Sequence, residues 1–359
     1  WKAGIEWLPV NKLRFRTMLQ RSVRAPNMAE AFQEQFLESF IFVGNDPAED
    51  PCSAVNDPVA AGNLEKCVIT GLPADQVGTW NADLGFPTDF VRGGNPGLKP
   101  EVAESFTIGA VLDLDLFEGF QVSVDYFDLY VEDTIGDLDA TIACFDTANT
   151  TGLFCDALRR DPTTYNVVEV DEFKTNRGVA ETNGVDTQVS MQFVLPNSAD
   201  LSVNLIWTHL LENVFQETSF GTKFDCAGYF GWPCTEFKGD YGTFPENRVT
   251  TNFSYGMGDL TVGLGWRWIS GSINAAPFGS PFFGIPDPDL VITEIGSKNY
   301  IDLSIGYRFS DNIDARLSIA NLTDTGAPLM ADAGPQYNTD PALYDVFGRA
   351  YTLSLSLRY

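Results

Sequence analysis

From residue 351 to the end of the chain, apolar and polar side chains alternate without a break: Tyr351, Leu353, Leu355, Leu357 and Tyr359 against Thr352, Ser354, Ser356 and Arg358. A period of two places these sets on opposite faces of a strand. The same alternation runs through Ile301, Leu303, Ile305, Tyr307 and Phe309, and through Leu260, Val262, Leu264, Trp266 and Trp268. It recurs in Val249–Met257, Val185–Phe193, Leu201–Trp207 and Phe120–Tyr126. With the less regular runs 1–9, 13–23, 102–114 and 313–321, the pattern predicts about eleven strands.

The connections between these strands alternate in length. Short ones fall near 10–12, 115–119, 195–199, 257–259 and 309–312, and long ones occupy 26–100, 132–178, 212–246, 271–294 and 322–348. An up-and-down transmembrane barrel sorts its connections this way, with tight turns on the periplasmic side and long loops outside. A soluble sandwich has no physical reason to do so.

Composition leaves this reading open and closes others. No run approaches the ~18 consecutive apolar residues of a membrane helix, and the mean hydropathy of −0.07 is bland. Barrel strands average to such a value because every second residue is polar. A net charge of −27 excludes nucleic acid as a partner, since phosphate binding needs basic patches, and it disfavours a strongly anionic cargo. Aromatic residues make up 13% of the chain, and they end the apolar faces: Trp266 with Trp268, Tyr307 with Phe309, Tyr351 with Tyr359. The polar face alone reads equally well as a solvated sheet, but aromatic ends are what interfacial girdles require. With the apolar face in lipid, Asp186, Arg267, Asp302, Arg308, Asp314 and Arg316 face the interior. No leader heads the chain, and Trp1–Trp7 already reads as the middle of a strand.

Six cysteines admit fifteen pairings, but they cluster as Cys52 with Cys67, Cys144 with Cys155, and Cys226 with Cys234. None stands in a CxxC spacing, and the one histidine, His209, cannot complete a zinc set. Each cluster lies inside one long loop, so all three fall on one side of the barrel. Local disulfides on the cell exterior follow, each closing a loop for about 3 kcal/mol in the chain-entropy model.

Three segments carry a resemblance. The first is Leu13-Arg14-Phe15-Arg16 continuing to Arg21-Ser22-Val23-Arg24-Ala25-Pro26-Asn27; the second is Asn95-Pro96-Gly97-Leu98-Lys99-Pro100-Glu101 followed by Ser105-Phe106-Thr107-Ile108-Gly109. The third is Asn321-Leu322-Thr323-Asp324, then Tyr344-Asp345-Val346-Phe347-Gly348-Arg349 and an aromatic last residue. In this order they resemble signatures of TonB-dependent outer-membrane receptors, from residue 13 to the chain end. The resemblance implies an all-β fold: a transmembrane up-and-down antiparallel barrel of which residues 1–359 are the C-terminal part. Such barrels have about 22 strands around a plug, so about eleven is half. The plug domain, the segment that binds TonB and the first barrel strands are expected to lie outside this chain.

Several expectations follow from that resemblance. The protein is a receptor of Gram-negative outer membranes that imports a scarce solute, siderophore-, cobalamin-, saccharide- or peptide-like, with energy delivered by the TonB–ExbB–ExbD system. Its surroundings are outer-membrane lipid and lipopolysaccharide, and the strand ending at Tyr359 resembles the signal read by the barrel assembly machinery. The alternative is a passive porin of about 12 strands. An enzyme needs a base, and His209 shares the face of Leu205 and Trp207 with no carboxylate beside it on the strand. On general grounds the solute contacts would be loop aromatics and polar groups over the lumen: Trp80, Tyr229, Phe230, Trp232, Phe282, Phe283, Asp332, Tyr344 and Arg349. Packing within the folded loop is the competing and commoner role of such aromatics. No cofactor is expected. Acidic stretches at 45–50 and 286–289 offer oxygen ligands for loop calcium, but neither has the glycine-bearing order of a calcium loop. Asn149 and Asn321 head glycosylation-like triplets, read as accidental.

Overall fold

The computed structural model describes residues 1–40, 47, 50–83, 87–114, 119–196, 198–231, 234, 242–275, 292–330 and 338–358. Eleven long strands form one sheet: β1 (Lys2–Val10), β2 (Leu13–Arg24), β3 (Glu101–Leu114), β4 (Phe120–Glu132), β5 (Val179–Val194), β6 (Asp200–Gln216), β7 (Asn247–Met257), β8 (Leu260–Ile269), β9 (Lys298–Ser310), β10 (Ile313–Ala320) and β11 (Ala350–Leu357). Each pairs antiparallel with the next in chain order, and Lys223–Asp225 adds a short flap on β6. The eleven expected strands are therefore present, with boundaries moved by a few residues except in β5 and β6. Among the described residues no pairing joins β1 to β11, so the sheet is an open part of a barrel.

The register carries one set of side chains continuously along each face. Trp7 opposes Phe15, Phe15 opposes Ala110, and Ala110 opposes Val124. Further along, Val249 opposes Trp268, and Leu264 opposes Leu303. Among the described residues nothing covers this apolar face: Leu353 is 77% exposed, Leu355 64% and Ile5 71%. In water such a face would be a gross aggregation surface, whereas against lipid it is the seat of the fold. Aromatics band both ends. Near the tight turns Trp7 stacks on Phe15 at 5.6 Å and Tyr307 meets Phe309 at 4.9 Å. Near the loops the indole N–H groups of Trp207 and Trp266 donate to Asn247 and Asn299 at 3.0 and 2.9 Å. Tyr359 lies outside the described residues.

The opposite face is polar and paired across strands. Arg16 grips Asp125 through Nε at 2.7 Å and Nη2 at 2.5 Å, Thr208 donates to Asp186 at 2.7 Å, and Ser190 donates to Asn204 at 3.0 Å. Asp302 and Asp314 share this face with Arg267, Arg308 and Arg316, as the alternation requires. Gly109 stands between Arg16 and Asp125 in the register, and a Cβ there would meet the Asp125 carboxylate and the Val124 carbonyl. That glycine keeps the path of the ion pair open.

β5 and β6 run well past the alternating segments from which they were expected, with 16 and 17 residues. About 9–11 residues cross a bilayer, so these two strands project beyond it on the loop side. A bulge lies in the projecting part, where the register shifts between Asn183 and Gly184 opposite Leu210 and Glu212. The extra residue ends the strict period of two, which is why the sequence pattern fades there.

Replacing Gly109 with alanine is expected to break the Arg16–Asp125 pair and lower barrel stability by about 1–3 kcal/mol. The check is denaturant unfolding in detergent micelles. Gly256→Ala, on the same inner face where a Cβ meets nothing within 4 Å, is expected to be neutral.

Candidate functional site

The long loops fold into two packed bodies above the polar wall. The first is built from the loops 25–100 and 133–178. It contains α1 (Met28–Phe32), α2 (Leu64–Ile69), α3 (Ala140–Phe145) and a four-stranded sheet ordered Phe36–Phe40, Thr88–Gly93, Val167–Phe173, Leu158–Arg160. The disulfides Cys52–Cys67 and Cys144–Cys155 sit in its core with Leu72, Phe90, Phe145, Leu158, Val167 and Val170. All three expected cysteine pairs form, the third being Cys226–Cys234 in the second body.

At the centre of the first body lies a fully buried ion pair. Arg160 and Asp50 are each 1% exposed, and the guanidinium meets both carboxylate oxygens at 2.7 and 2.9 Å. Its remaining donors reach Thr70 Oγ1 and the Tyr165 carbonyl, both at 2.9 Å, and its plane lies 5.1 Å from the Trp80 ring. Trp80 is held in turn through its indole N–H, which donates to the Thr164 carbonyl at 2.9 Å. Asp50 also accepts from the Cys52 amide at 2.8 Å, tying the pair to the first disulfide. A buried pair is tolerated when the donors and acceptors around it are filled in this way. Between the helices, the Lys66 ammonium donates to the Asp146 carbonyl at 2.8 Å, and burial pulls that amine below its usual range.

The motif residues at 24–30 and 95–101 turn out to be one clamp at the outer rim. Arg24 opposes Glu101 across β2 and β3 and holds it with two bonds of 2.6 and 2.8 Å, while its third nitrogen takes Glu30. That guanidinium holds the Glu30 carboxyl below the usual range. Asn27 and Glu30 close a capping box on α1, and Asn95 ties the re-entering chain to Lys174 through a 3.0 Å bond. The third motif is a similar clamp: Asp324 accepts from the Arg349 amide at 2.9 Å, and its second oxygen lies 3.6 Å from the Arg349 guanidinium. Gly348 adopts φ +67 there, a left-handed turn suited to glycine.

The second body gathers Phe230, Ile269, Ile295, Tyr300, Met330 and Tyr344 around one core, and Cys226–Cys234 with Phe215, Phe224, Phe244 and Ala275 around another. Burial pushes the Tyr344 hydroxyl up. Arg267, on the inner wall, reaches up to Asp345 with bonds of 2.9 and 2.7 Å and anchors this body to β8. On the inner wall of β1 to β6, a trough of about 670 Å³ is lined by Glu6, Arg16, Met18, Asp125, Phe127, Asp186, Gln188 and Ile206.

Of the expected contact residues, Trp80 is half-buried under Arg160, Tyr229 is half-buried, Phe230 and Tyr344 lie inside the second body, and Arg349 is exposed at the rim. Trp232, Phe282, Phe283 and Asp332 lie outside the described residues, as do residues 286–289. Of the acidic stretch 45–50, Asp50 is committed to Arg160. Asn149 and Asn321 are both buried, with side-chain amides bonded to backbone carbonyls. His209 faces outward beside Trp207, and its ring bonds Asn247, an amide rather than a carboxylate. No local pattern signals the meeting of Arg160 with Asp50, which are 110 residues apart. The joining of Arg24 to Glu101 could have been read from the motifs, whose acidic and basic ends suit each other.

Over residues 1–322 the sequence matches the family described as TonB dependent receptor-like, beta-barrel. A mutant of the ferric enterobactin receptor of Pseudomonas aeruginosa superposes with a TM-score of 0.59 at 14% identity, covering 99% of this chain and 39% of that one. The siderophore receptor PirA of Acinetobacter baumannii gives 0.57 at 16% identity, covering 99% and 40%. At these identities the likeness is one of fold, and the chain spans about two fifths of those structures. No curated protein matches it.

Arg160→Met leaves the Asp50 carboxylate buried without its counter-ion, and is expected to remove about 3–5 kcal/mol from the first loop body. Limited proteolysis should then cut within 50–83 and 150–166 while the barrel strands stay protected. Arg160→Lys keeps the charge but not the fork, and should fall between.

Proposed function

The chain belongs to the TonB-dependent receptor-like β-barrel family of Gram-negative outer membranes, and from that premise we propose that it serves a receptor that takes up a scarce solute by active import. The observation that carries this reading is the pair of disulfide-closed loop bodies clamped at the rim above a polar, ion-paired inner wall. A passive pore gains nothing from so much folded structure over its mouth, whereas a receptor needs a shaped and rigid capture surface. In this reading Trp80, Phe230 and Tyr344 set the shape of that surface, Arg349 with the loop aromatics Trp232, Phe282 and Phe283 meets the solute, and TonB with its inner-membrane partners supplies the energy.

The strand directions add a condition on the whole protein. β1 runs toward a tight turn and β11 runs away from a long loop, so both edge strands run toward the periplasm. Neither self-closure nor head-to-tail pairing of two copies makes an antiparallel seam from two such edges. We take residues 1–359 as the C-terminal part of a barrel completed by an odd number of further strands, because unpaired edges in lipid are costly.

The test is uptake by cells carrying the natural protein, beginning with radioiron-loaded siderophores because one structural neighbour is named as a ferric enterobactin receptor and another as a siderophore receptor. Import that stops when the proton gradient is collapsed, or when TonB is deleted, is the expected result. Solute entry that continues under both conditions would establish the passive-porin alternative.

A further inference from the structure

In the first loop body, the segment carrying α3 packs against the loop-sheet strand Val167–Phe173, and the contact is crowded with carboxylates. Glu172 projects there with a side chain only 13% exposed. From the neighbouring strand Thr88–Gly93, Arg92 reaches it at 3.0 Å but spends another nitrogen on Glu38 of Phe36–Phe40 at 2.5 Å. From the α3 side come Asp139, whose carboxylate caps the Thr141 and Ile142 amides at 2.9 Å, and Asp137, paired with Lys174 at 2.5 Å. Arg177 completes the surroundings, donating to the Asp137 carbonyl at 3.2 Å. Four carboxylates therefore share three cations. Burial, and then the nearby Asp139, push Glu172 up to about 7 against the pull of Arg92, and burial raises Asp139 as well.

We infer that the seat of the α3 segment on the loop sheet is a proton-controlled clasp, closed when Glu172 is neutral and loosened when its charge joins those of Asp139 and Asp137. The direction follows from linkage. An acid whose folded-state value is raised holds its proton in the closed state over a range where the open state has lost it. Stability contributed by the neutral form is thus lost as pH rises from the ordinary glutamate value toward about 7. The outer loop body is then tightest in mildly acidic surroundings, whatever solute is carried. Among the described residues of this body the Arg160–Asp50 pair is balanced one to one, and where Arg159 serves both Glu169 and Asp171 the carboxylates are more exposed than Glu172.

Hydrogen exchange of the full chain in detergent, followed by mass spectrometry and corrected for intrinsic rates, reads the clasp directly. Between pH 6 and pH 8, amides of residues 140–146 and 167–173 are expected to lose about ten-fold in protection. Glu172→Gln should flatten that change to less than about two-fold, while Glu169→Gln, on the same strand and paired to Arg159, should leave it intact. Equal protection at both pH values in the natural sequence overturns the proposal, as does an unaltered pH dependence in Glu172→Gln. Should that variant not assemble, the natural chain decides alone: a one-proton transition near pH 7 supports the clasp, and its absence overturns it.

Discussion

In hydrocarbon there is no water to satisfy a backbone N–H or C=O, so each must find a partner within the protein. Everything in this chain is arranged around that constraint. It forces the eleven long strands into one continuous antiparallel ladder in chain order. It frees the outward side chains from any packing duty toward protein, which is why leucines and isoleucines stand bare along β1 and β11. It also removes the hydrophobic core from the place where a soluble protein would have it. Among the described residues the packed cores lie in the loops and at the strand ends beneath them.

The loops live under the opposite regime, since they face water and must build their stability from small cores. They do so with three disulfides, a buried guanidinium–carboxylate pair and hydrogen-bonded clamps at the rim. A body closed by short disulfide loops loses little entropy on folding, and a fully satisfied buried pair fixes one arrangement over its competitors. The rim clamps matter for a different reason: Arg24 with Glu101, and Arg349 with Asp324, determine where the chain leaves and rejoins the sheet. Through them a rigid barrel can hold a rigid capture surface at a defined height and angle.

Charge is distributed by the same logic. The net charge of −27 is carried largely by acidic residues of loops and turns. Arginines of the inner wall are matched by carboxylates beyond the adjacent strand, Arg16 by Asp125 two strands away and Arg267 by Asp345 of the loop body above it. Where loop carboxylates outnumber nearby cations, as around Glu172, folding leaves one of them sensitive to protons near neutrality.

The sequence by itself determined the strand count, the alternation of turns and loops, the two faces of the sheet and the three disulfides, because each depends on local spacing. A period of two reports the face of every residue, and cysteines 8–15 residues apart have few partners to choose from. The projecting ends of β5 and β6 escaped that reading because a bulge breaks the period. The tertiary structure alone decided what depends on contacts between distant segments. Asp50 meets Arg160, Arg92 is divided between Glu38 and Glu172, and Trp80 lies under a guanidinium rather than open to the lumen. No local pattern encodes such meetings, since they arise only when segments more than fifty residues apart pack into one body.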